Sequence, residues 1–293
     1  MILPKTEITF LEDEFTRNAG ISIHVLRLDN LNTVTGGNKW FKLKSLIEKY
    51  RHLPFEEKPV LISFGGCFSN LIAALAQAGQ EDGFKTIGII RGEKQDNITL
   101  KRAEKQGMKL FFVSRFIFAD KHKALESVLK QLPADLKTEV IPQGAADING
   151  FSGCKKILND VSQDYDFIFC PSATGTTLAG MAAVTNAKCA GMAVLNNREE
   201  QLSNIKQFFN DESILKDLPM VIDDFHEGGM AKKSQRLSDF LNRFSAMHPD
   251  VRIEPVYTGK MMLGVYELTK AGYFRKGNQV LCVHTGGLQY LND

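Results

Sequence analysis

Short apolar runs, set between glycine turns and longer alanine- and leucine-rich stretches, are the feature that most limits what this chain can become. Pro59–Phe64, Thr86–Ile90, Lys109–Val113, Phe167–Cys170 and Gln279–Val283 are each a few residues long and uncharged inside. A run that is apolar at every position, not at alternate ones, suits a strand covered on both faces. Helical stretches such as Asn70–Ala78 and Thr177–Thr185 follow some of them. Strand then helix, repeated, is the pattern of βα units around a parallel sheet, so the expected fold class is α/β. No internal repeat or low-complexity tract interrupts it. The stretch 43–150 carries its own alternation and is expected to form a small inserted domain, with 1–42 and 151–293 building a larger one. A cleft between two such sheets is a natural place for a ligand.

With 293 residues, 43% of them hydrophobic, the chain can bury one large or two modest cores. Its formal net charge of +2 offers no field for nucleic acid or an anionic membrane, so the expected partner is a small molecule. No apolar run is long enough to span a bilayer, and the opening Met1–Glu7 reads as neither a signal nor a transit peptide. Five scattered cysteines, Cys67, Cys154, Cys170, Cys189 and Cys282, include no close metal-ligand pair. They are expected to be reduced, mostly buried thiols in a cytoplasmic protein. His226-Glu227-Gly228-Gly229 lacks the second histidine of a helical zinc motif, so no metal is expected.

Three glycine turns carry residues with chemical potential. In Thr35-Gly36-Gly37-Asn38-Lys39 a lysine follows two glycines at a helix start, where it could form a Schiff base with a carbonyl cofactor. An ordinary solvated lysine fits the same segment. Phe64-Gly65-Gly66-Cys67-Phe68-Ser69-Asn70 joins a strand to a helix, and Ser69 or Asn70 can serve simply as the helix cap. Pro171-Ser172-Ala173-Thr174-Gly175-Thr176-Thr177 places small and hydroxyl residues at another helix start, a setting that suits a phosphate. It lacks the lysine of a nucleotide P-loop, which favours a phosphate monoester over a nucleotide; a capped helix with no ligand also fits. His284 could serve as an acid or base, or be packed structurally.

Taken in order, GGNK at 36–39, GGCFSN at 65–70, ATGTTLAG at 173–180, PVYTGK at 255–260 and HTGG at 284–287 resemble the fold-type-II pyridoxal-phosphate enzymes. The branch they resemble contains D-cysteine desulfhydrase and 1-aminocyclopropane-1-carboxylate (ACC) deaminase. The resemblance spans nearly the whole chain. It implies a two-domain fold like that of the tryptophan synthase β subunit, each domain a mostly parallel sheet flanked by helices, and a homodimer. It implies pyridoxal 5'-phosphate as cofactor and a small amino acid as substrate.

The roles it implies are specific. Lys39 would be the Schiff-base lysine and the general base at Cα. Asn70 would meet the cofactor's phenolic oxygen, and Ser69 the substrate carboxylate. Ala173, Thr174, Gly175, Thr176 and Thr177 would hold the phosphate. Tyr257 would lie beside the ring and take part in proton transfer or stacking, and Thr285 would face the pyridine nitrogen. A hydroxyl there does not favour a protonated ring, so prompt loss of a β-leaving group is expected. The resemblance places Ser69, Thr258 and Met230 in the substrate pocket, and ACC deaminases of the branch carry an acidic residue where this chain has Thr258 and an aliphatic one where it has Thr285. The resemblance therefore points to β-elimination from D-cysteine, yielding keto acid, ammonia and sulfide, with ACC ring opening as the alternative. A protein that holds the cofactor with little catalysis is a further possibility. Two departures stand out: Arg27-Leu28-Asp29-Asn30 replaces an Arg-Asp-Asp-like turn, and Met230 stands where a second active-site tyrosine is common, which would alter the substrate pocket.

Overall fold

The computed structural model describes residues 5–31, 37–209, 218–229 and 232–288. In chain order the elements are β1 (Ile8–Leu11), α1 (Glu14–Ala19), β2 (Ser22–Arg27), α2 (Asn38–Tyr50), β3 (Val60–Gly65), α3 (Asn70–Asp82) and β4 (Thr86–Arg91). They continue with α4 (Ile98–Lys105), β5 (Lys109–Val113), α5 (Arg115–Ala119), α6 (Lys121–Leu129), β6 (Thr138–Ile141), α7 (Ile148–Cys154) and β7 (Phe167–Ser172). The last are α8 (Thr176–Ala182), β8 (Lys188–Ala193), α9 (Arg198–Phe209), β9 (Met220–Ile222), α10 (Gln235–Met247), α11 (Thr258–Lys270) and β10 (Gln279–His284).

Two sheets result. One has four parallel strands in the order β5-β4-β3-β6, and the other has six in the order β1-β2-β10-β7-β8-β9. Only β1, antiparallel to β2, breaks the parallel rule in the larger sheet. All five strand expectations correspond to observed strands. The weaker β1, β2, β6, β8 and β9 have no counterpart among them, being short, mixed in polarity or at sheet edges.

Burial explains the uniform apolarity of the central strands. Val280 and Cys282 of β10 pack with Phe167 and Phe169 against α10 and α11. Leu281 and Val283 point the other way, with Ile168 and Cys170, toward α7 and α8. The four-stranded sheet is likewise covered twice, with Ile62, Phe64, Ile87 and Ile89 on one face and Leu61 and Ile90 on the other. All five cysteines are free thiols, and four of them are buried.

Two features of the larger sheet open a crevice. β7 runs forward to β8 and β9 on one side, while β10 returns on its other side, so the strand order reverses between β7 and β10. Ligands collect outside the carboxyl ends of strands at such a reversal. The β10–β7 ladder covers only Phe167 to Phe169, so Pro171, which donates no backbone hydrogen bond, sits beyond it.

The helix α2 joins the two halves. Its Phe41 belongs to the core of the six-stranded sheet, whereas Leu43, Leu46 and Ile47 belong to that of the four-stranded sheet. α7 crosses it closely because Gly153 has no side chain; a Cβ there would lie 1.9 Å from the Phe41 carbonyl oxygen. Among the described residues no helix is long and apolar enough to cross a membrane.

Candidate active site

The carboxyl ends of both sheets face one cavity of about 640 Å³. Its walls include Lys39, Lys42, Ser69, Asn70, Ala173, Thr174, Gly175, Thr177, Tyr257 and Thr285, whereas Thr176, expected among them, is fully buried behind the wall. Segments more than two hundred residues apart in sequence are thereby brought to one space.

Lys39 stands in the first turn of α2. Burial drives its amine well below the ordinary lysine range, and the charge and hydrogen bond of Lys42, one turn on, push the same way. Lys42 is itself 2% exposed and donates to the Gly144 carbonyl at 2.8 Å. Its pKa is also lowered by burial, but its hydrogen bond to Lys39 acts upward. Of the pair, Lys42 is therefore the better holder of a proton and Lys39 the better free amine. The start of α2 is tied to the larger sheet: Gly37 bridges Gly286, and the Asn38 N–H donates to Thr285 O at 3.2 Å.

The turn after β7 is built as an anion cradle. Gly175 caps α8 in the left-handed region at φ 78°, and among the described residues no side-chain cap takes the first-turn N–H groups. Those N–H groups thus remain available at the positive end of the helix. The Thr174 and Thr176 hydroxyls are hydrogen-bonded to each other at 3.1 Å, and Thr177 Oγ1 accepts from Asn38 Nδ2 at 2.8 Å. From behind, Asn197 donates to Ala173 O at 3.0 Å and Asn204 to Thr174 O at 3.3 Å. Gln201, fully buried, donates to Asn197 Oδ1 at 2.7 Å. The turn is held in shape without its own N–H groups being used.

Ser69 caps α3, accepting the Ile72 N–H at 3.3 Å, and still reaches the cavity. Asn70 begins α3 with its amide beside Gly287. Tyr257 precedes α11; burial and the Glu254 carboxylate raise its phenol to about 12. Glu254 is fully buried and accepts from the N–H groups of Val256, Tyr257 and Thr258 at 2.6, 2.8 and 2.7 Å. One turn later, the buried Lys260 donates to the carbonyls of Val194, His226 and Gly229 at 3.3, 2.8 and 2.6 Å. This side chain ties the loop before residue 230 to the helix that follows Tyr257.

Thr258 does not line the cavity, contrary to expectation. It is fully buried, its hydroxyl accepting the Glu254 N–H at 3.0 Å and donating to the Glu254 carboxylate at 3.2 Å. Met230 lies outside the described residues. His284 is a structural residue. Its Nε2 meets the Arg252 carbonyl at 2.7 Å, and its Nδ1 accepts the Gly286 N–H at 3.2 Å. That pairing suits the neutral ring, whose pKa burial pushes down. The departing Arg27-Leu28-Asp29-Asn30 turn also serves structure, since Arg27 grips Asp29 through two nitrogens at 2.7 and 2.9 Å.

Several residues of the site do not stand out in the sequence. Asn38 and Lys42 flank Lys39, and the signal available for Lys42 was its i+3 spacing on one helix face. Asn197, Gln201 and Asn204 recur at i, i+4 and i+7, a polar stripe on a helix with an otherwise mixed pattern. Glu254 announces itself only as a carboxylate shortly before a helix start.

No family model matches the chain. It is similar to a protein of Pyrococcus furiosus called a putative ACC deaminase, 25% identical over 303 residues that cover 97% of this chain and 90% of the relative. The ACC deaminase of Bradyrhizobium diazoefficiens is 25% identical over 305 residues, covering 93% and 88%. Among solved structures, an ACC deaminase homologue superposes with a TM-score of 0.83 at 22% identity, covering 97% of this chain and 90% of the other. Threonine deaminase isoform 2 from Solanum lycopersicum gives 0.70 at 13% identity, covering 98% and 80%. The chain is thus similar over nearly its whole length to proteins called ACC deaminase, and it shares its fold with an ACC deaminase homologue and a threonine deaminase.

Proposed function

We propose that the protein deaminates a small amino acid to a keto acid and ammonia in the cleft between its two sheets. The observation that carries this reading is Lys39: an amine whose pKa burial drives well below the ordinary lysine range, in a cavity whose opposite wall is a helix start suited to an anion. These residues fit pyridoxal 5'-phosphate, because the cradle has free N–H groups for a phosphate monoester and the amine is free to meet an aldehyde. When bound, the cofactor supplies a ring that accepts electrons from a bond breaking at the substrate's Cα.

The chain's own groups do the remaining work. The N–H groups and hydroxyls of residues 173–177 grip the phosphate, with α9 bracing the turn from behind. Asn70 would hold the ring oxygen, Thr285 would face the ring nitrogen, and Tyr257 would flank the ring. Ser69 takes the substrate carboxylate. Lys39 would take the proton from Cα, and the lowering of its pKa by burial favours an amine able to accept one.

The relatives called ACC deaminase favour ACC as the substrate, with ring opening to 2-oxobutyrate and ammonia. A second reading, β-elimination from D-cysteine, is favoured by Thr285, whose hydroxyl lines the cavity where an aliphatic residue is expected for ACC ring opening. Thr258 argues for neither, because its hydroxyl is spent on Glu254. The test is to give the cofactor-loaded protein ACC and D-cysteine in parallel. 2-Oxobutyrate from ACC supports the first reading, and sulfide with pyruvate from D-cysteine the second. Borohydride reduction and mass spectrometry locate the cofactor; no adduct on Lys39 removes both.

The same reading assigns 43–150 to a small domain and the flanks to a large one, supported by α2 changing partner between Phe41 and Leu43. It also assigns a homodimer in the cytoplasm, to be checked by sedimentation and by fractionation.

A further inference from the structure

A cofactor and a small amino acid account for most of the cleft lining, but not for three cations on the four-stranded side. Arg91, Arg115 and Lys121 all line the cavity. Arg91 ends β4, Arg115 opens α5 directly after β5, and Lys121 opens α6. Because Arg91 pairs in register with Val113, the two arginines leave neighbouring strand ends. The Ser69 turn follows β3, the strand on the other side of β4. The carboxyl edge thus runs from Gly144 after β6 to Ser69, then Arg91, then Arg115, in steps of about 5 Å per strand.

Among the described residues these charges have few counter-charges, Asp120 being the carboxylate that acts on Lys121. Neither arginine forms an ion pair among the described residues, and Lys121 donates only to the Phe118 carbonyl, at 2.6 Å, while lying over the Phe118 ring. Asp120, next in sequence, is committed elsewhere: it accepts the His122 and Lys123 N–H groups and pairs with the Lys123 ammonium at 3.4 Å. Among the described residues, Glu200 is the one carboxylate in the cavity lining. It belongs to α9 on the opposite wall and accepts from Asn197 at 3.2 Å. Arg91 is near enough to Lys121 to join burial in lowering its pKa, a shift that the Asp120 charge opposes without reversing. Like charges gathered in a partly desolvated cleft repel unless an anion joins them.

We propose that Arg91, Arg115 and Lys121 form a subsite for a second oxyanion group on the substrate, carried beyond Cβ. The proposal rests on the amino-acid reading above: with the α-carboxylate at Ser69, a substituent extending along the strand ends meets Arg91 first and Arg115 next. For a phosphate ester at Cβ the chemistry balances without any further reactant but water. Lys39 takes the Cα proton, the C–H electron pair forms the Cα–Cβ double bond, and the Cβ–O bond breaks with its electrons leaving on phosphate. The released enamine takes a proton at Cβ and hydrolyses, so phosphoserine and water give pyruvate, ammonia and phosphate.

The test is calorimetric titration of the cofactor-loaded protein with phosphoserine and with serine, each as both enantiomers, for the wild type and an Arg91→Gln/Arg115→Gln variant. Both arginines are exposed, so the variant keeps its core. One enantiomer of phosphoserine is expected to bind about tenfold or more tighter than the matching serine, as charge-assisted contacts imply. The double variant is expected to lose that preference while its affinity for serine stays unchanged. Equal binding of the two ligands, no binding of phosphoserine, or a preference that survives the double substitution overturns the subsite. Keto-acid assays with ACC and D-cysteine run alongside: their failure with the binding preference intact removes the deaminase reading instead.

Discussion

Lys39 and Lys42 lie one turn apart on α2 with their amines hydrogen-bonded to each other, and Lys42 is anchored in turn on the Gly144 carbonyl. Two amines this close cannot both be charged at low cost. Their hydrogen bond acts upward on the anchored Lys42 and downward on Lys39, which favours Lys39 as the nucleophile.

Replacing Lys42 with Met removes the like charge and the hydrogen bond that act downward on Lys39. The Lys39 pKa then moves up toward its ordinary value, and the rate of cofactor capture shifts to higher pH. At a pH below the pKa, the uncharged fraction falls by about tenfold for every pH unit that separates them. Absorbance-monitored cofactor binding across a pH series checks this; an unmoved profile would separate the two lysines.

Lys39→Met tests the same burial through stability. In the unfolded chain this lysine is protonated up to about 10.5. In the fold its pKa is well below that, so folding releases a proton between the two values. Stability therefore rises with pH in that window, at about 1.4 kcal/mol per pH unit. The cofactor-free Lys39→Met variant is expected to melt a few degrees higher than wild type at neutral pH, with the advantage shrinking toward about pH 10. Calorimetry at several pH values measures it.

Gly175→Ala should loosen the cradle. Its φ of 78° disfavours a side chain, and a Cβ would meet Ile205 Cγ1 at 2.7 Å and Gln201 O at 3.0 Å. A left-handed non-glycine residue costs about 1–2 kcal/mol, so cofactor affinity is expected to fall by about tenfold. Equilibrium dialysis against pyridoxal phosphate reads the change.

Gly153→Ala should separate α7 from α2. The new Cβ would collide with backbone, 1.9 Å from Phe41 O, and backbone cannot rotate away. Overpacking of this kind costs about 1–3 kcal/mol. Denaturant melts should show that loss, with reduced cofactor loading because α2 carries both lysines.

Glu254→Gln removes the negative charge that helps hold the Tyr257 phenol at about 12. Its pKa is expected to fall, yet to stay above the ordinary value of about 10 because burial is the larger cause. Ultraviolet difference titration follows it; an unchanged phenol would mean that burial alone sets its pKa.

Much of the fold was legible in the chain because its central strands are apolar throughout. Val60–Gly65 and Gln279–His284 could be read as strands since each is nearly all buried. Ser22–Arg27 was not, because His24 and Arg27 interrupt a strand whose buried arginine is satisfied by Asp29 and the Asp250 carbonyl. Lys39, Ser69, Asn70 and residues 173–177 could be picked out since each sits at a glycine turn beside a helix start. Lys42 and Asn197 could not: a lysine within a helix and an asparagine before one look like solvent-facing residues. Thr258 shows the opposite error, a hydroxyl at a motif position that spends its hydrogen bonds on a buried carboxylate.

Local pattern, then, was enough for strand, turn and helix start, because backbone preference and apolar period act between near neighbours. The lowered pKa of Lys39, the bracing of the turn at Gly175, and the cations gathered at the ends of β4 and β5 arise differently. They depend on desolvation and on charges from segments far apart in the chain, and those distances exist only once the two sheets have closed around one cavity.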